Sequence, residues 1–95
     1  MSKSPYNVLT EEELDAVRPY AMVIEWSEED EAFVVIVPDL VGCRTHGATR
    51  EEAAGRGEEA IASMLAAITD DEPAPRPRFT ALDEAGYALA TERGA

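Results

Sequence analysis

The spacing of apolar positions along the chain switches between a period near two and a period near 3.6, the signatures of strand and helix. From Tyr20 to Trp26 the pattern alternates, with Tyr20, Met22, Ile24 and Trp26 on one face and Ala21, Val23 and Glu25 on the other. Ser27-Glu28-Glu29-Asp30-Glu31 follows as a polar turn, and Ala32 to Val37 is a second strand, β-branched and apolar on both faces. Two strands this close in sequence predict an antiparallel hairpin. Gly42 to His46 predicts a third, short strand after the turn at Pro38-Asp39. The run from residue 33 to 37 has the character of a central strand covered on both faces.

The period then lengthens. Ala53, Ala60, Ile61, Met64, Leu65 and Ile68 recur at helical spacing and predict one main helix from Thr49 to about Thr69. Thr49 and Glu52 have capping-box spacing, in which each side chain serves a backbone N–H of the other. Gly55 and Gly57 each weaken a helix by about 1 kcal/mol relative to Ala. Their bare backbone lets the helix approach the sheet closely. Asp70-Asp71-Glu72-Pro73 ends it, with carboxylates opposing the helix dipole. Upstream, Thr10 to Glu13 repeats the capping pattern and predicts a short helix that offers Leu9, Leu14 and Val17. Downstream, Pro73-Ala74-Pro75-Arg76-Pro77 predicts an extended connector, Arg78 to Thr80 a short edge strand, and Ala81 to Glu92 a final helix.

These elements make an α+β domain: a small antiparallel sheet of three to four strands with one main helix on one face, plus short terminal helices. Residues 1–17 form an N-terminal extension, 18–80 the domain proper and 81–95 a helical tail. One helix covers one sheet face, so the other is expected to meet a second copy in a homodimer or higher oligomer. Two loop positions are read as glycine for their backbone angles, Gly42 and Gly47.

Composition narrows the function. A chain of 95 residues is one domain. Twenty acidic residues against eight basic ones give a formal charge of -12. A phosphate backbone repels such a chain, so no nucleic-acid binding by the chain alone is expected. A basic protein attracts it; acidity also keeps a small protein soluble. No apolar run approaches the roughly 20 residues of a membrane span. Met1-Ser2-Lys3-Ser4-Pro5 has no apolar stretch behind it, so a secretory signal is not expected. A cytoplasmic location is the expectation.

Catalytic chemistry is sparse. Cys43 and His46 are the single cysteine and histidine. Three residues apart on a strand, they point to opposite faces and do not form a nucleophile–base pair. Cys43 is expected in the core and His46 in a turn. No glycine-rich phosphate loop occurs. Asp30, Glu31 and Asp39 lie in turns, where carboxylates are ordinarily solvated and not metal ligands. The chain is therefore read as no enzyme, with no cofactor and no metal.

Residues 18–70 resemble the HicB antitoxin family. The resemblance rests on Val37-Pro38-Asp39-Leu40-Val41-Gly42-Cys43 followed by Thr45-His46-Gly47-Ala48-Thr49-Arg50-Glu51-Glu52-Ala53. The acidic turn before Ala32-Phe33-Val34-Val35 adds to it. Ala48 departs from the family's common Asp. The tail departs further, having only Arg93 against Asp83, Glu84 and Glu92 where many members carry a DNA-binding segment. The resemblance implies a partial ribonuclease-H-like fold without nuclease activity. It also implies a partner of the HicA type, a small basic mRNA-cleaving toxin whose active site the antitoxin covers. On charge and expected exposure, the candidate partner-binding residues are Glu28, Glu29, Asp30, Glu31, Asp39, Glu51 and Glu58. The alternative is a stand-alone HicB-like oligomeric interaction module with no cognate toxin.

Overall fold

The computed structural model describes residues 5–68 and 74–78. In chain order it contains α1 (Glu11–Val17), β1 (Val23–Ser27), β2 (Ala32–Ile36), β3 (Arg44–Gly47) and α2 (Arg50–Ala67). The strands form one three-stranded antiparallel sheet in the order β1-β2-β3, so the domain is α+β with β2 central.

Short-range chemistry accounts for most boundaries. At α1, Thr10 accepts from the Glu13 N–H at 3.1 Å while Glu13 accepts from the Thr10 N–H at 2.8 Å, a complete capping box. At α2 the box is half formed. Thr49 Oγ1 accepts from the Glu52 N–H at 3.1 Å, but Glu52 Oε1 takes the Ala48 N–H at 2.8 Å. The other oxygen of Glu52 meets Arg56 Nη2 at 2.9 Å. α2 ends at Ala67, short of the expected Thr69, because Ile68 is already extended. Ile68 therefore leaves the helical stripe.

β1 starts at Val23, three residues after the expected Tyr20. The Tyr20 N–H donates to the Val17 carbonyl at 3.0 Å, closing α1, and its hydroxyl donates to the Pro75 carbonyl at 2.6 Å. β3 is likewise shifted, to Arg44–Gly47. Pro38 ends β2 as expected. Two successive turns follow: the Leu40 N–H donates to the Val37 carbonyl, and the Cys43 N–H to the Leu40 carbonyl. Gly42 sits in the second at φ 85, a conformation that side chains resist. Gly47 needs correction. It has no positive φ; a Cβ there would lie 2.5 Å from the Ala53 backbone nitrogen, so it is glycine for space, not for angle. A Cβ on Gly57 would lie 2.5 Å from Met22 Sδ and 2.9 Å from Val35 Cγ1, which confirms the expected close approach of helix and sheet.

The core lies between the sheet and the two helices. Leu9, Val17, Val37, Leu40, Cys43 and Ile61 form its buried cluster, with Leu14, Tyr20, Met22, Met64 and Leu65 packed against it. Leu40, Ile61 and Val35 are the largest fully buried side chains, each stabilising the fold by about 1.5–3 kcal/mol. Asn7 is a buried polar residue that pins the N-terminal segment. Its amide nitrogen donates to the Gly55 carbonyl at 2.7 Å and to Glu58 at 3.1 Å. Residues 74–78 are exposed and outside any strand; the Arg78 N–H donates to Asp39 Oδ2 at 2.9 Å. Thus Arg78 begins no edge strand, while residues 79–80 and the expected tail helix lie outside the described residues.

Candidate partner-binding site

The β1–β2 turn gathers most of the candidate carboxylates at one end of the sheet. The Ser27 hydroxyl donates to Asp30 Oδ2 and accepts from the Asp30 N–H, both at 3.2 Å, so Asp30 folds back over the turn. Glu31 adopts φ 50, a left-handed conformation unusual for a side chain of its kind. Glu28, Glu29, Asp30 and Glu31 are all exposed.

Strand register supplies the floor beneath them. Trp26 pairs with Phe33, their rings edge-on at 5.1 Å between centroids and 68° between planes. Phe33 in turn pairs with Gly47, which leads through Thr49 into α2. Arg50 consequently lays its guanidinium 4.7 Å above the Phe33 ring centre, a cation–π contact. Glu51, exposed in the first turn of α2, reaches the same end. Trp26 stays 48% exposed despite its size, with its indole N–H donating to Glu28 Oε2 at 3.0 Å. The result is a half-open aromatic pair beside the acidic β1–β2 turn, with Glu28 in direct contact with it and Glu29, Asp30 and Glu31 exposed in the same turn. Trp26, Phe33 and Arg50 were not among the residues expected at the site. The signal was present, because a hairpin centred on residues 29 and 30 must pair 26 with 33.

Asp39 and Glu58 stand apart. Asp39 follows β2 at the opposite end of the sheet, where it receives the Arg78 N–H. Glu58 is half-buried along α2 and receives the Asn7 amide. Both carboxylates hold the chain's own segments together.

Cys43 and His46 sit in different settings. Cys43 is buried, and burial pushes its thiol pKa above the usual 9.0; His46 is exposed. Among the described residues, no group of three or more His, Cys, Asp or Glu side chains could hold a metal ion. No helix among them is long and apolar enough to cross a membrane.

The family model described as the HicB_like antitoxin of bacterial toxin-antitoxin system matches residues 20–89. The chain belongs to this family. Curated proteins and solved structures yield no match to it. The HicB-like match begins at Tyr20, so it takes in the whole sheet, α2 and the acidic turn, and leaves out α1. Membership supports an antitoxin role, a toxin as partner in general terms, and a non-catalytic mode of action.

Proposed function

We propose that this HicB-like chain neutralises a small basic HicA-type mRNA-cleaving toxin in the cytoplasm by lying over its RNA-binding surface, without catalysing a reaction. The observation that carries the reading is the acidic rim at the β1–β2 end. Glu28 receives the indole N–H of the exposed Trp26 there, Glu29, Asp30 and Glu31 share its turn, and Glu51 lies exposed in the first turn of α2. A surface that binds RNA presents Lys and Arg side chains at phosphate positions, and carboxylates on a rigid hairpin can take those positions. Trp26 adds a flat apolar anchor of the kind that dominates protein interfaces. A net charge of -12 steers the encounter at a distance. Asp39 and Glu58, already engaged within the chain, contribute through this long-range field more than through contact.

Affinity capture with the tagged chain, from its own source at low salt, tests this. A small basic protein should come with it in stoichiometric amount and leave as salt is raised. Glu28→Lys combined with Asp30→Lys should slow association roughly tenfold at low salt, with a smaller difference at high salt. Recovery of the chain alone, or a charge-reversed variant that captures equally well at every salt concentration, contradicts the reading.

A further inference from the structure

The sheet face turned away from α2 carries a pattern that matches its own reverse. Register places Glu25, Val34 and His46 side by side in one cross-strand row, and Val23, Ile36 and Arg44 in the next. Each row therefore has an apolar residue on the central strand. Along the β1 edge lies the Glu25 carboxylate, and along the β3 edge lie the Arg44 guanidinium and the His46 imidazole, an N–H donor. Glu25, Arg44 and His46 are exposed, Ile36 is 45% exposed, and Val23 and Val34 are half-buried.

We propose that a second copy of this chain closes this face, sheet on sheet, about a two-fold axis running along β2 between the two sheets. Such an axis carries β1 of one copy over β3 of the other at the same height along the strands. Glu25 then faces the second copy's His46, with its Arg44 one step diagonal, and the pair of contacts is made twice. Val34 and Ile36 lie on the axis and pack against themselves. This is the isologous arrangement that closed dimers use, with sheets in the aligned packing of β-sandwiches. Charge selects this occupant over the basic toxin. The face balances Glu25 against Arg44, whereas the β1–β2 end is carboxylate apart from Arg50. The two surfaces lie on different sides of the hairpin, so a dimer leaves the rim free.

Sedimentation equilibrium of the full chain tests the proposal, with circular dichroism reporting the fold. The chain should be a dimer. Ile36→Asp sets two carboxylates against each other on the axis and should weaken the dimer at least a hundredfold. Glu25→Arg, at an exposed position, should weaken it about tenfold, and adding Arg44→Glu with His46→Glu should restore it. A monomer at all concentrations, or a dimer that neither Ile36→Asp nor Glu25→Arg disturbs, overturns the proposal. Capture of the basic partner by the Glu25→Arg variant should be unchanged, which separates this interface from the toxin-binding reading.

Discussion

Replacing Gly47 with Ala should be among the most damaging single-methyl changes available to this fold. The new Cβ would lie 2.5 Å from Ala53 N, 2.8 Å from Ala53 Cα and 3.0 Å from the Glu52 carbonyl carbon. Non-bonded carbon atoms rest at about 3.5–4.0 Å, so the start of α2 must lift by about 1 Å. The atoms in the way are helix backbone, which cannot swing aside as a side chain does. Overpacking of this kind costs about 1–3 kcal/mol. Displacing the Thr49 cap and the Arg50–Phe33 contact adds about 1 kcal/mol more. The sum, about 3 kcal/mol, is a large part of the roughly 5 kcal/mol expected for a domain this small. With a urea slope near 1 kcal/mol/M, the unfolding midpoint should fall by about 3 M. Gly57→Ala is the internal comparison. Its Cβ meets the movable end of Met22 and only one fixed atom of Val35, and the helix regains about 1 kcal/mol of propensity. Its net loss should be about 1 kcal/mol. A Gly47→Ala loss below 0.5 kcal/mol would refute the reasoning. So would a Gly47→Asn variant more stable than Gly47→Ala, since Asn is favoured by a left-handed angle and disfavoured by lack of space.

Other positions respond in ways the contacts set. Asn7→Ala leaves the Gly55 carbonyl without its side-chain donor and should lower stability by about 1–3 kcal/mol, read by thermal unfolding. Glu31→Gly relieves a left-handed side-chain residue at φ 50 and should raise stability by up to about 1 kcal/mol in a urea titration. Cys43 should resist thiol reagents in the folded protein and react at once in denaturant. Because burial raises its pKa in the folded state, the unfolded thiol ionises first. Its contribution is therefore complete below the unfolded value near 9.0 and declines as pH rises from there through the folded value. Cys43→Ser should flatten the alkaline limb of a stability–pH profile.

What could be read from the chain itself was local or periodic. The alternation from Tyr20 to Trp26, the β-branched run that makes β2 central, the stripe through Ala53 and Ile61, and the Thr10 cap all depend on neighbours within a few residues. Misses arose where distant segments meet. Tyr20 looks like a strand residue, yet its N–H closes α1 and its hydroxyl reaches Pro75. Leu40 lies in a turn motif and belongs to no expected apolar stripe, but the double turn folds it inward to 1% exposure. Asn7 is silent in sequence because its partners lie about 50 residues on. At the acidic rim, the carboxylates were visible as a charge run, while the Trp26–Phe33–Arg50 floor required the hairpin register. Asp39 and Glu58 show the converse: charge and periodicity cannot tell a free carboxylate from one tied to the chain's own amides.

Occlusion of a basic ribonuclease by the acidic platform is open to direct measurement. It is tested most directly by titrating the purified chain into an RNA-cleavage assay of the basic protein that co-purifies with it. Cleavage should fall to zero at a stoichiometric ratio, and the Glu28→Lys, Asp30→Lys variant should require a clear excess. Cleavage that continues in saturating chain would contradict it.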